Sequence, residues 1–99
     1  MAQTHTRLQA ISQFPLGRIV ATAGVLQLFN SQANVLTGLL ARHQSGDWGQ
    51  LSNEDWEAND QAIAEGWRIL SVYRVAGIKV WIITEADRST TTLLLPEEY

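Results

Sequence analysis

The sequence predicts a small α+β domain in which two or three helices pack on a C-terminal three-stranded antiparallel β-meander. Three observations predict this fold class: apolar residues recur at helical spacing upstream of Gly66, that glycine ends the helical pattern, and side chains alternate with period two after it. A chain of 99 residues is the usual size of one domain, and no linker divides it. We therefore expect a single domain over residues 14–99, preceded by a flexible N-terminal segment, residues 1–13.

The first element is predicted to be a short extended segment over Leu16 to Ala21. It contains an Ile-Val pair, which is typical of strands, and it follows Pro15, which favours an extended residue before it. This segment is the candidate for a fourth, N-terminal strand. Thr22 then provides an N-cap for a short helix over residues 23–29.

Two longer helices are expected next. The first begins after Ser31 and ends at Gly46, and its apolar face is formed by Val35, Leu36, Leu39, Leu40 and His43. Ser52 is a suitable cap for the other helix, from Asn53 to Glu65. The apolar face of this second helix consists of little more than Trp56 and Ile63, so we expect it to lie on the surface.

The segment after Gly66 is predicted to form the meander. Trp67 to Val75 alternates like a strand with one face more buried, and Ala76-Gly77 permits a tight reversal. Ile78 to Thr84 is apolar on both sides, which favours a central strand. After a turn at residues 85–88, Ser89 to Leu95 is rich in β-branched threonine and is predicted to form the third strand.

Composition and charge exclude several classes of function. Ten carboxylates against seven Lys and Arg give a net charge of −3, which is unfavourable for binding a phosphate backbone. There is no cysteine, so disulfides and thiolate metal sites are excluded. No apolar run approaches the ~20 residues that span a bilayer, and residues 1–13 contain no secretory signal pattern. We expect a cytoplasmic protein without a membrane partner.

The glycine-flanked loop at residues 46–49 contains the first group of candidate binding residues. Arg42, His43, Asp47 and Trp48 lie in or beside it, and a His near an Asp is the smallest unit of general acid-base chemistry. The competing interpretation is structural, because cations in a last helical turn complement the helix dipole and Asp in a turn bonds its own backbone. Trp48 is either an exposed binding anchor or a core residue, whereas Trp67 and Trp81 are expected in the core.

The turn before the last strand contains the second group, Glu85, Asp87 and Arg88. These charges are candidates for binding a partner or a divalent cation, although charged residues in a hairpin turn are usually only solvated. The sequence has no nucleophile elbow, no glycine-rich phosphate loop and no metal-spaced histidine pair. We therefore predict no catalytic residue, metal site or cofactor.

Three segments resemble a group of small bacterial proteins carried on plasmids and integrative elements. They are residues 14–22 (FPLGRIVAT), 41–49 (ARHQSGDWG) and 81–99 (WIITEADRSTTTLLLPEEY). The resemblance implies a setting, the bacterial cytoplasm as cargo of mobile DNA. It implies no catalytic or binding residue, because no activity is associated with that group.

Two classes of function follow. The first is a non-enzymatic accessory protein of a mobile element that binds another protein, such as a host defence component. The second is a small enzyme or RNA-acting toxin-like domain, for which the candidate residues are Arg42, His43, Arg68, Arg74 and Arg88. Helix-turn-helix binding to DNA by residues 23–29 and 31–42 is not expected, because no basic residue precedes Arg42 there. An exposed edge strand or tryptophan would favour a homodimer.

Overall fold

The computed structural model describes residues 12–99, so most of the predicted flexible segment, residues 1–11, lies outside the described residues. The elements are β1 (Arg18–Ala21), α1 (Ala23–Leu28), α2 (Ala33–Gln44), α3 (Asn53–Glu65), β2 (Ile69–Val75), β3 (Ile78–Thr84), β4 (Thr90–Leu94) and a 3-10 turn (Pro96–Glu98). No helix in residues 12–99 combines the length and the hydropathy needed to cross a membrane.

The strands form one mixed sheet in the order β1-β4-β3-β2. Strands β2, β3 and β4 are antiparallel neighbours, whereas β1 pairs in parallel with β4. The α+β class and the antiparallel meander are therefore confirmed, and the N-terminal strand is present. Strand β3 lies between β2 and β4, as its apolar residues on both sides predict.

Local capping sets the helix bounds. The Ser52 hydroxyl accepts a hydrogen bond from the Asp55 amide at 3.1 Å, and Gly66 ends α3 in the left-handed conformation with φ of 76°. Thr22 caps α1 in the same way through the Val25 amide. Helix α2 begins at Ala33, because Gln32 still belongs to the preceding turn, in which its amide donates to the Phe29 carbonyl at 2.9 Å.

The two faces of the sheet have different surroundings. Helices α1 and α2 lie against the covered face, where the core cluster consists of Val25, Phe29, Leu39, Tyr73, Val80, Ile82, Leu93 and Leu95. The opposite side, here called the open face, carries Arg18, Val20, Leu70, Val72, Arg74, Lys79, Trp81, Ile83, Thr92 and Leu94. None of these open-face residues belongs to either core cluster of the described chain.

Helix α3 lies beside the edge of β2 and closes it. The Asn59 side-chain amide donates to the Leu70 carbonyl at 2.6 Å, and the Leu70 amide donates back to Asn59 Oδ1 at 3.3 Å. This side chain therefore substitutes for a neighbouring strand at an edge that would otherwise be free to pair. The prediction that Trp67 is a core residue is wrong: it lies between Gly66 and β2 and is 49% exposed.

Candidate functional site

His43, in the last turn of α2, is completely buried against the covered face of the sheet. Its Nδ1 atom lies 2.6 Å from the Ser71 hydroxyl, and its Nε2 atom lies 2.9 Å from the Thr84 hydroxyl. Thr84 is in turn 2.7 Å from the Thr91 hydroxyl. Ser71, Thr84 and Thr91 are themselves fully buried, so this chain of polar groups has no contact with solvent.

The direction of the hydrogen bonds along this chain determines the histidine tautomer. Thr91 donates to the Leu16 carbonyl at 2.7 Å, so its oxygen accepts the proton of Thr84. Thr84 has then used its only proton and must accept from Nε2–H of His43. The ring therefore carries a proton on Nε2, and in its neutral form Nδ1 accepts from Ser71.

The surroundings of His43 also oppose a positive charge. Burial, with a smaller contribution from the Arg88 guanidinium, lowers the pKa of His43 to about 3. A histidine with this pKa stays neutral near pH 7, and one without solvent access cannot reach a substrate. In this conformation His43 stabilises the fold and is not an acid-base catalyst.

Asp47 does not form the predicted pair with His43. Its carboxylate binds Arg42 instead, with 2.7 Å between Arg42 Nε and Asp47 Oδ2. The Asp47 carbonyl accepts a hydrogen bond from the Tyr73 hydroxyl at 2.6 Å, and the Arg42 guanidinium lies 4.6 Å from the centre of the Tyr73 ring. These contacts attach the loop to β2. Burial raises the pKa of Tyr73, so the hydroxyl stays protonated and able to donate.

Trp48 is a core residue and is fully buried. Its ring stacks on Phe14 with 6.1 Å between centroids, and its Nε1–H donates to Asp60 at 2.9 Å. The backbone beside it pairs with β2, because the Val72 amide donates to the Trp48 carbonyl at 3.1 Å. Gly49 approaches so closely that a Cβ would collide with the Val72 carbonyl, and its φ is 77°. In this conformation Trp48 does not serve as a binding anchor.

Arg88 is fixed by backbone carbonyls. Its Nη1 donates to the Trp67 carbonyl at 2.7 Å and its Nη2 to the Ala62 carbonyl at 2.9 Å, which ties the end of α3 and the start of β2 to this turn. These bonds hold Arg88 at a φ of 61°, a conformation that is uncommon for a residue with a side chain.

The two carboxylates of the same turn also have partners. Asp87 accepts from the Ser89 amide at 3.0 Å, and hydrogen bonding to Ser89 lowers the pKa of Asp87. Glu85 pairs with Arg68 at 3.5 Å. Within residues 12–99 no group of three His, Asp or Glu side chains is arranged to hold a metal ion. Arg88, Asp87 and Glu85 therefore each have a partner within the fold.

Phe14 connects the two groups of candidate residues. Its ring lies 5.3 Å from His43 and 6.1 Å from Trp48, and the Arg88 guanidinium lies 5.6 Å from its centre. Arg42, Asp47, Glu85 and Asp87 lie outside this contact. In the sequence, Phe14 stands before a proline, at the start of the predicted domain and of the segment 14–22 that carries the resemblance, and no local pattern indicated its central position.

The feature that sequence reasoning missed is the open face. Its middle is an apolar band of two rows across the sheet, Val72-Trp81-Leu94 and Leu70-Ile83-Thr92-Val20. Leu70, Trp81 and Val20 are half-buried, whereas Val72, Ile83 and Leu94 are buried and form the floor of the band. The signal was present in the alternation of the strands, because Leu70 and Val72 stand between Arg68 and Arg74, while Trp81 and Ile83 follow Lys79.

A pocket of about 290 Å³ opens on this face between α3 and the C-terminal tyrosine. Its lining residues are Asn59, Arg68, Leu70, Trp81, Ile83 and Tyr99. The Tyr99 ring lies 5.5 Å from Trp81, and its hydroxyl accepts a hydrogen bond from Arg68 Nη1 at 2.8 Å. Tyr99 is 69% exposed, so it forms a wall of the pocket without filling it.

Cations lie at both ends of the apolar band. At one end Arg74 and Lys79 are directly opposite each other on β2 and β3, and both are exposed. At the other end are Arg68 and Arg18. Among the described residues only Arg68 has a carboxylate within ion-pair distance on this face, namely Glu85. The open face therefore combines an apolar centre with positive ends.

Comparison with known proteins adds no relative: no family model, curated protein or solved structure matches this chain.

Proposed function

We propose that this chain is a non-enzymatic accessory protein that acts by binding another protein through the open face of its sheet. The observation that carries the proposal is the pocket of the apolar band, which opens between the half-buried Leu70 and Trp81 and the exposed Tyr99. A concave apolar pocket with a few polar groups at its rim is typical of binding sites. A specific complex would bury roughly 800 Å² on each partner.

The contrast with the candidate polar groups supports binding over catalysis. His43, Arg42, Asp47 and Arg88 are all engaged by folding contacts, and His43 has no access to solvent. The residues considered for an RNA-acting domain do not converge, since Arg68 and Arg74 belong to the open face whereas His43 packs on the covered one. The alternative of a toxin-like nuclease therefore has less support than the binding role.

The setting of the proposal comes from the resemblance alone. Small proteins carried on plasmids and integrative elements act inside a bacterium, so the proposed partner is a cytoplasmic protein of the host or of the element, such as a defence component. This part of the proposal can be tested separately from the binding surface.

Affinity capture with matched variants tests the proposed surface. Tagged wild-type protein, Trp81→Ala and Leu26→Ser are used to retrieve proteins from a bacterial lysate; Leu26 is 52% exposed on α1, away from the open face. The expected result is one protein recovered by the wild type and by Leu26→Ser and lost with Trp81→Ala. Circular dichroism and a thermal melt establish that each variant is folded.

Two outcomes would contradict the proposal. Recovery of the same protein by Trp81→Ala, with its fold intact, would move the binding site away from the open face. Cleavage of cellular RNA on expression of the wild-type chain would replace the binding role by the enzymatic alternative.

A further inference from the structure

We propose that the occupant of the open face is an amphipathic helix of a partner protein, with an apolar centre and carboxylates at both ends. This inference rests on the proposed function and specifies the chemistry of the partner. An amphipathic helix is the element that commonly packs on an apolar sheet face, as α1 and α2 already do on the covered face. The bound helix would form a third layer.

The arrangement of charge predicts acidic ends. Like charges placed directly opposite each other on neighbouring strands destabilise a sheet, yet Arg74 and Lys79 are such a pair and have no carboxylate within ion-pair distance among the described residues. Arg18, at the opposite end of the band, likewise has no such partner there. Four of the seven Lys and Arg residues of the chain border this one face. A ligand with carboxylates at these positions would relieve the repulsion.

The spacing of the cations sets the length of the occupant. Arg68, which immediately precedes β2, and Arg74 are six positions apart, which corresponds to roughly 20 Å along an extended chain. A helix covers that distance in roughly 13 residues. Its apolar side would lie on the two rows of the band, and one large side chain would enter the pocket beside Trp81 and Tyr99.

Two other occupants fit less well. A second copy packed face to face would place the cations of one molecule against those of the other, because both ends of the band are positive. A single-stranded nucleic acid would find aromatic rings and cations, but it carries a negative charge at every phosphate, including those beside the pocket, where α3 supplies the Asn59 wall and carries five carboxylates and no cation. The proposed helix has an apolar centre there. Both occupants are outcomes of the following test.

The test is selection from a displayed library of random peptides of about 16 residues, a length that spans the band as a helix with one spare turn. Purified full-length protein is the bait. The expected binders carry an apolar stripe with Asp or Glu toward both ends, and a synthetic copy of a selected peptide is helical when bound. A labelled oligouridylate and sedimentation of the protein alone are measured in parallel.

Charge-matched variants locate the binding. Arg74→Gln with Lys79→Gln removes two positive charges from the open face, and Gln27→Glu with Gln61→Glu changes the net charge equally at exposed positions of α1 and α3. We expect the first pair to weaken peptide binding about tenfold and the second pair to leave it unchanged within about twofold.

The outcomes separate this inference from the proposed function. Binders that depend on Trp81 but show no acidic preference, or are indifferent to Arg74→Gln with Lys79→Gln, overturn the acidic helix and leave the binding role standing. Binders that tolerate Trp81→Ala in a folded protein overturn both. The absence of any binder overturns the acidic helix alone, because binding of a folded partner is tested by the affinity capture. Tighter binding of oligouridylate than of any peptide, or a dimer that Trp81→Ala dissociates, replaces the helix by RNA or by a second copy.

Discussion

Polar side chains on the two faces of the sheet differ in whether they have partners within the protein. On the covered face, His43, Ser71, Thr84 and Thr91 form one chain of hydrogen bonds, and no buried side-chain polar atom of the described residues lacks a partner. On the open face, Arg74 and Lys79 oppose each other without a carboxylate among those residues. The polar groups on the covered face all have hydrogen-bond partners within the protein. The two cations on the open face repel each other and have no carboxylate partner among the described residues. The comparison indicates that the buried polar groups serve folding, and it is the basis for the proposal that the exposed cations serve binding.

Replacing His43 by alanine should produce the largest effect. The ring packs edge-to-face against both Phe14 and Trp48, and its loss would leave a cavity as well as two hydroxyls without their partner. We expect the free energy of unfolding, measured by urea titration, to fall by roughly 3 to 5 kcal/mol. Thr37→Ala, at an exposed position of the same helix, is the control and should change stability by less than about 0.5 kcal/mol. A loss below about 1 kcal/mol for His43→Ala would show that the polar chain contributes little to the fold.

The pH dependence of stability tests the same hydrogen-bonded chain of His43, Ser71, Thr84 and Thr91 without a mutation. The pKa of His43 is about 3 in the folded protein and near 6.5 in the unfolded chain, so between these values only the unfolded state binds the proton. Stability from this group is therefore complete above pH 6.5 and falls as the pH is lowered. We expect a loss of roughly 2 kcal/mol between pH 7.5 and pH 5.

Nuclear magnetic resonance of the histidine rings provides the direct check. His43 should not titrate above pH 5 and should carry its proton on Nε2, as the bonds to Thr84 and Ser71 require. The signals of the two histidines are assigned with a His5→Gln variant. Titration of His43 near pH 6.5, or a proton on Nδ1, would contradict the direction of hydrogen bonding described above.

A substitution of Asn59 tests how much the side chain that covers the β2 edge contributes to stability. Asn59→Ala removes both hydrogen bonds to the Leu70 backbone, and we expect a loss of roughly 1 to 2 kcal/mol together with faster hydrogen exchange at the Leu70 amide. Asn53→Ala, at the exposed start of the same helix, is the matched control. Unchanged exchange at Leu70 would mean that the edge is protected by other groups.

The smallest predicted effect has the opposite sign. Arg74→Gln with Lys79→Gln removes the like-charge pair, so the isolated protein should become more stable, by about 0.2 to 0.5 kcal/mol, in low salt. The gain should disappear near 1 M salt, where the screening length is only ~3 Å. Gln27→Glu with Gln61→Glu serves again as the charge-matched control. A loss of stability in the first double variant would assign these cations to the fold and weaken the comparison between the faces.

Features that depend on local chemistry were predictable from the sequence. Helix α3 has the expected bounds because a serine cap and a left-handed glycine act within one helical turn. The strands after Gly66 follow from alternation, which a two-residue reversal at Ala76-Gly77 keeps in register. The candidate residues were less predictable, because the roles of Trp48 and Arg88 depend on partners that are distant in sequence: Asp60 for the indole, Ala62 and Trp67 for the guanidinium.

The sequence by itself determined the fold class, the order of the elements and the central position of β3, since hydrophobic periodicity and capping are short-range properties. Only the tertiary structure decided that His43 is buried in a hydrogen-bonded chain with three hydroxyl side chains, that β1 pairs with β4, and that a pocket lies on the sheet face opposite α1 and α2. The physical reason is that burial and hydrogen-bond direction depend on which strands and helices pack together. A periodic pattern shows which side of an element is apolar, but it does not show which other element covers that side.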